Sequence, residues 1–477
     1  MLFNSFTFIV FFVVVYLLYR MLGYRYQNWM LLAASYIFYM SWDWRFLSLI
    51  LLSTFIDYVC GIKVFHNHSQ RRKKLWVTFS VVSNLAILGF FKYFNFFADS
   101  LVSLTSMVGW TPGDVTLNII LPVGISFYVF QSMSYSIDIY RKELKPEYKF
   151  ADFALFVAFF PQLVAGPIER AKKLLPQFQN PRIITREFVE TGLWMIAWGF
   201  FLKIFIADNM GHLVDHTFAK TGDISGLEVL LGTYAFAFQI FGDFAGYSSI
   251  AIGVASLMGI RLSTNFLFPY FVTNPQDFWK NWHISLSSWL RDYLYIPLGG
   301  SKGGNAMLYR NLFLTMLLGG IWHGAAWTFV VWGIYQGGIL IVHRLCSPYV
   351  SKFFEGFSFS RLTRKVMYGG KVVFMFQVTC LGWLIFRAES MGQITGFLNS
   401  LVFNMNMITP EVSYYLLQIG FLALPLLLIQ IYQIKKGSQN SLNGFPVGLR
   451  YVIYAGMFYA IVMFGEYGSR EFIYFQF

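Results

Sequence analysis

His323 is the residue whose type and setting most plainly invite chemistry. It sits in LLGGIWHGAAWTFVVWG, residues 317–333, inside a long apolar stretch. An ionisable side chain at such a depth is costly, so it marks a functional position by default. Burial disfavours the imidazolium, and the neutral ring is the form that accepts a proton as a general base. Gly319, Gly320 and Gly324 remove side chains from around it, which would let a reactant come close. The same pattern has a structural reading. Gly320 and Gly324 form a GxxxG, a helix-packing motif, and a packed histidine bonded to a carbonyl needs no chemistry. The residues alone leave both readings open.

His283 lies in NPQDFWKNWHISLSSWLRDYLYIPLGG, residues 274–300, between Trp282 and Ser285. Asn274 is a plausible N-cap with Pro275 at the first helical position, and Gly299 and Gly300 stop the segment. The other histidines read as bystanders. His66 and His68 sit in the solvated run HNHSQRRKK, and His343 ends a span beside Arg344. His212 and His216 have the i, i+4 spacing of a metal pair, but no HExxH accompanies them. No metal site is expected. Asp57, Lys92, Asp138, Lys203 and Asp243 fall within apolar stretches and should face the interior and pair. Their partners cannot be assigned from sequence, and a proton-coupled transporter would want such groups too.

The elements that must hold these residues are membrane helices. Of 477 residues, 57% are hydrophobic and 12% charged, and mean hydropathy is +0.55. That excludes disorder, a disulfide-stapled secreted module and an ordinary soluble enzyme. The apolar stretches are long and continuous, not the alternating ten-residue strands of a β-barrel. A spanning helix needs about 20 apolar residues. Candidate spans fall at 3–20, 28–42, 45–62, 75–97, 119–140, 188–207, 226–258, 311–345 (long enough to cross twice), 372–386, 412–434 and 451–465. The expected fold is an all-α polytopic membrane protein of about 11–12 transmembrane helices in a single domain, 1–477. The N-terminus lacks a basic leader and a cleavage site, so it reads as a retained first span. Cys60, Cys346 and Cys380 show no paired spacing, which speaks against disulfides and thiolate metal sites.

The net charge of +13 points to basic cytoplasmic loops rather than to nucleic acid. Lys and Arg gather at 20–25, 63–74, 141–149, 170–186, 261–310, 344–371 and 435–450, which hold 30 of the 36. Placing all seven windows on the cytoplasmic face puts both termini on the outer face. It also makes 151–166 dip in and return. Pro161, Gly166 and Pro167 suit that re-entrant path, and 274–300 suits an amphipathic one. Irregular backbone at membrane depth survives only inside protein or against a wet cavity, so an interior cavity is expected.

Five blocks in order, LPVGISFYVFQSMSYSIDIYR (121–141), FFPQLVAGPIER (159–170), FGDFAGYSSIAIG (241–253), FWKNWHISLSSWLRDYLYIPLGG (278–300) and NLFLTMLLGGIWHGAAWTFVVWG (311–333), resemble the membrane-bound O-acyltransferase (MBOAT) family, in its bacterial alginate O-acetyltransferase-like branch. The ending REFIYFQF resembles that branch as well. The resemblance implies a helical bundle with re-entrant segments around a central tunnel, with a motif-rich core at 121–345 and a C-terminal tail at 466–477. It places the family's invariant histidine on His323. A companion position, His or Asn across the family, falls on His283. It implies an inner-membrane enzyme with no bound cofactor. Acetyl-CoA would be the donor, a periplasmic esterase-like protein the partner and a polysaccharide such as alginate the eventual acceptor.

On that picture the CoA head rests on basic loops, with Arg170, Lys172, Lys173, Lys280, Arg291 and Lys302 as candidates, although positive-inside topology alone accounts for such cations. The thioester reaches His323, which takes the proton of an attacking hydroxyl. His283 either orients His323 or donates to the oxyanion. Tyr474, the only hydroxyl in FIYFQF, is a candidate acyl relay or a plain interfacial anchor. Rival readings are a family member acylating a lipid or secreted protein, and a transporter without chemistry.

Overall fold

The computed structural model describes all residues except 111–115, 165, 221–223, 406–409, 438, 440–441, 443–444, 469 and 476–477. Ala165 of the expected re-entrant segment and three residues of the 466–477 tail thus lie outside the described residues. Among the described residues every regular element is helical. Among the described residues, eight helices are long and apolar enough to cross a membrane: Trp44–His66, Gln70–Met107, Arg186–Phe218, Gly226–Leu257, Trp327–Phe354, Arg361–Arg387, Pro410–Lys436 and Val447–Phe464. Other expected spans appear as shorter or more polar helices, including Phe6–Met21, Tyr24–Met40, Ile125–Tyr140 and Asn305–His323. The chain is an all-α polytopic membrane protein. It divides into two compact units, Met1–Ile196 with Ser248–Ser263, and Ala197–Tyr247 with Thr264–Phe477.

In the first unit, Ile125–Tyr140 is buried along nearly its whole length. Gly124 precedes it at φ +74, where an added Cβ would lie 2.8 Å from the Leu163 carbonyl. Asp57 is fully buried, and among the described residues no cation meets its carboxylate. Its oxygens accept from Asn84 Nδ2 at 2.8 Å and Ser136 Oγ at 3.0 Å, and from the Ser80 hydroxyl. Neutral donors thus do what a counter-ion was expected to do.

The 151–170 stretch is broken as its prolines imply. The stretch forms Phe150–Ala158 and the single turn Phe160–Leu163, and the next helix, Ala171–Gln179, starts after the extended residue Arg170. Residues 152–164 are all buried. The freed backbone groups are met by side chains. The Phe156 carbonyl accepts from Gln131 Nε2 at 2.6 Å and Gln162 Nε2 at 2.7 Å, and the Phe160 amide donates to Ser35 Oγ at 3.0 Å. Without these partners, irregular backbone could not persist away from water.

In the second unit, a hairpin is built from Asn305–His323 and Trp327–Phe354. It resolves the long apolar run 311–345 into two helices. At Gly320 an added Cβ would lie 2.5 Å from the Phe329 carbonyl and 2.8 Å from Gly333 Cα. At Gly324 it would fall 2.1 Å from the Phe329 ring. Both glycines therefore serve close packing, the structural side of their reading. The helix Gly226–Leu257 lies against a π-helical turn at Phe201–Ala207, where Gly242 and Gly246 would bring a Cβ to 2.9 Å from the carbonyls of Leu202 and Gly199.

Candidate functional site

His323 is the last residue of its helix, because Gly324 turns extended at φ −162 and ψ 157. A π turn or kink is not needed to free the ring, since it stands at the helix end. The side chain is buried, 4% exposed. Its ring centroid lies 5.0 Å from Trp332, 5.4 Å from Phe386 and 5.7 Å from Tyr474. Trp332 and Phe386 come from different helices, and both rings stand nearly perpendicular to the imidazole.

His283 sits at a break in the amphipathic segment. Asn274 caps the helix Pro275–Asn281 by accepting from the Asp277 amide, as its sequence predicts. The chain then turns through His283 at φ +43, ψ +54, and restarts as Ile284–Leu290. A left-handed non-glycine residue is uncommon, and such residues persist where surrounding structure dictates them. Here the dictating residue is Asn265. Its main-chain carbonyl accepts the Ile284 amide at 2.9 Å. Its side-chain Oδ1 lies 3.3 Å from the Ser285 amide, 2.9 Å from Ser285 Oγ and 3.1 Å from His283 Nδ1. A backbone amide can only donate, so the Asn265 atom facing it is the oxygen. His283 Nδ1 therefore carries the proton, and in the neutral ring Nε2 holds a lone pair. In that tautomer Nε2 is an acceptor. Asn265 has no sequence signal of its own; it lies in a loop, RLSTNFLF, with no motif.

Tyr474 is brought to the same place. Its ring lies 4.6 Å from Phe244, which also lies 4.6 Å from His283. The Tyr474 and His283 centroids are 6.5 Å apart. Phe472, fully buried, anchors the tail by ring contacts with Tyr247 at 4.7 Å and Phe244 at 5.5 Å. His323, His283 and Tyr474, predicted separately from distant parts of the chain, thus converge on one aromatic cluster.

The basic candidates are distributed otherwise. Lys172 and Lys173 are exposed at the start of Ala171–Gln179, next to Arg170. Lys280, Arg291 and Lys302 are exposed in the other unit. Lys280 pairs with Asp277 at 2.9 Å and Arg291 with Asp292 at 2.8 Å. The Lys280 hydrogen bond holds the Asp277 carboxyl below its ordinary value. The 344–371 window, basic in sequence but not singled out residue by residue, forms a cleft of about 610 Å³ that includes Ser347, Ser351, Arg364, Tyr368 and Lys371. His212 and His216 do not converge on a common point. His212 faces Glu466 at 3.1 Å and Arg470 at 3.0 Å, whereas His216 meets Tyr415 at 2.7 Å.

Residues 36–386 match the family model described as MBOAT, membrane-bound O-acyltransferase family. The chain is 40% identical over 455 residues to the probable alginate O-acetylase AlgI of Azotobacter vinelandii, covering 94% of this chain and 87% of that one. It is 42% identical over 393 residues to the probable alginate O-acetylase AlgI of Pseudomonas aeruginosa, covering 82% and 73%. It is 35% identical over 400 residues to the peptidoglycan O-acetyltransferase of Helicobacter pylori, covering 78% and 73%.

Proposed function

This chain belongs to the membrane-bound O-acyltransferase family and is an O-acyltransferase, and on that premise we propose that it passes acetyl groups from cytoplasmic acetyl-CoA, across the inner membrane, towards an extracytoplasmic polysaccharide of the alginate type. Relatives named for alginate and for peptidoglycan both support a polysaccharide acceptor. His323 is the general base and Tyr474 the first acceptor. The observation that carries this reading is the ring of Tyr474 against His323, 5.7 Å between centroids, with Phe244 behind it. A second hydroxyl cannot take the same space, so the tail is a better acceptor than an incoming sugar.

The step balances without a cofactor. As the Tyr474 oxygen bonds to the thioester carbonyl carbon, its proton passes to the His323 ring. The tetrahedral intermediate then breaks its C–S bond, and the imidazolium returns the proton to the leaving thiolate. The products are O-acetyl-Tyr474 and free CoA. General-base assistance of this kind contributes about 10²–10⁴ in rate. A phenol, with a pKa of about 10, is a better leaving group than a sugar alkoxide, so the acetyl remains activated for transfer by a periplasmic esterase-like partner. His283 accepts a hydrogen bond at Nε2 and orients the reacting groups. Half-buried Arg170 with exposed Lys172 and Lys173 in one unit, and Lys280, Arg291, Lys302, Arg364 and Lys371 in the other, are two separate sets of candidate cations for the phosphates of the donor. Both termini lie on the outer face, where the tail can meet its partner.

The test is membranes given acetyl-CoA labelled in the acetyl group, followed by mass analysis of the C-terminal peptide. Wild type gains an acetyl on Tyr474. His323→Ala inserts normally and gains none. Tyr474→Phe inserts normally and leaves the polymer unacetylated; full polymer acetylation in that variant removes the relay.

A further inference from the structure

Buried beside the tail is a charge cluster that the reaction above does not use. Lys203, on the π-helical turn Phe201–Ala207, is 1% exposed. Its ammonium donates hydrogen bonds to Asp208 Oδ1 at 2.8 Å and to the main-chain carbonyl of Arg470 at 3.2 Å, and forms an ion pair with Asp243 Oδ1 at 2.7 Å. Asp243 in turn uses its other oxygen, Oδ2, to accept the main-chain amide of Ile473 at 2.6 Å. The cluster therefore grips the tail twice, through one carbonyl and one amide three residues apart. The single turn Ile473–Phe475 begins at the gripped amide, and Tyr474 is the next residue.

We propose that Lys203 and Asp243 are positioning residues, a latch that fixes the height and direction of Tyr474 at the His323 ring. This rests on the relay reading of Tyr474. Several features fit a latch better than a plain ion pair. π turns occur often at functional sites because they re-aim side chains, and this one directs Lys203 inward. Gly242 and Gly246 flank Asp243 and allow its helix to sit close on that turn. Hydrogen bonds to an ionised partner are the strong ones, roughly twice neutral bonds, so both main-chain contacts hold firmly where water is scarce. The two grips act on the main chain and so fix the tail's register.

The first variant removes one grip and leaves the buried charges in place. Ile473→Pro deletes the amide donated to Asp243, at the first position of a helical turn where proline is tolerated. Ile473→Ala keeps that amide and controls for the lost side chain. Asp243→Asn is the second variant. Three readouts are taken in membranes: acetylation of Tyr474, hydrolysis of acetyl-CoA by water, and labelling of Phe472→Cys by a maleimide in a Cys346→Ser background. Loss of one hydrogen bond to a charged group should slow acetyl transfer to the tail by about tenfold or more. Hydrolysis should stay within about twofold, and the introduced thiol should become reactive in Ile473→Pro and Asp243→Asn but not in Ile473→Ala. The proposal is overturned if the thiol remains protected and transfer unchanged in both variants. It is equally overturned if transfer and hydrolysis fall together, because the cluster is then scaffold for the whole site. If the thiol becomes reactive while Tyr474→Phe still acetylates polymer, the latch holds the tail but the relay reading has failed.

Discussion

Asn265→Ala isolates the least expected member of the site. Asn265 Oδ1 is shared by the Ser285 amide, Ser285 Oγ and His283 Nδ1. Alanine removes all three contacts, and with them the device that keeps the His283 proton on Nδ1. A buried donor left without its acceptor costs about 1–3 kcal/mol. If that cost falls on the reacting geometry, the rate drops about 5- to 150-fold, since 1.36 kcal/mol is tenfold. Asn265→Asp keeps an acceptor for all three donors and should retain more of the rate than alanine. The assay is initial-rate acetyl transfer from labelled acetyl-CoA in membranes matched for protein level. Nitrogen-15 spectra of the histidines report the tautomer independently: Nδ1 of His283 should appear protonated in the wild type and mixed in Asn265→Ala. A full transfer rate in Asn265→Ala at normal membrane level would refute the role given to His283 Nε2, and unchanged spectra would refute the tautomer argument itself.

Three further outcomes follow from features already described. Gly320→Val should lower membrane levels and thermal stability, because its Cβ meets backbone at Phe329 and Gly333 that cannot step aside; overpacking of this kind costs about 1–3 kcal/mol, and a normal melting profile would contradict it. Arg364→Ala with Lys371→Ala should raise KM for acetyl-CoA while leaving kcat nearly unchanged, the mark of lost ground-state binding; an unchanged KM would remove their cleft from the donor site. The His212 hydrogen bond holds the Glu466 carboxyl below its ordinary value. Its contribution is therefore present above the unfolded carboxylate value of about 4.3 and fades as pH falls through the lower folded one. Protease cleavage of the tail should accelerate below about pH 4, and Glu466→Gln should flatten that dependence; a wild-type profile identical to Glu466→Gln would oppose it.

The all-α membrane fold and two of the three central residues were legible because each broke a local rule. His323 is an ionisable group in an apolar run, and Tyr474 is a lone hydroxyl in an aromatic tail. His283 drew its weight from a resemblance, not from its neighbours. The intramembrane charges were visible as Lys203 and Asp243, but their pairing was not, since 40 residues separate them and only helix packing at Gly242 and Gly246 joins them. Asp57 was expected to meet a cation and met an amide and hydroxyls instead; small polar residues such as Ser80 and Ser136 give no periodic signal that would reveal this. Asn265 was invisible, because its work depends on a loop folding back onto a helix break.

The backbone at His283 limits what evolution can place there. At φ +43 and ψ +54 the residue lies in a region that β-branched and bulky side chains avoid, and that asparagine, aspartate and histidine enter several-fold more readily than others. A replacement must first fit that backbone, and few residues do so readily. Asparagine does and keeps a polar side chain, so the alternation of histidine and asparagine implied for this position has a conformational cause as well as a chemical one.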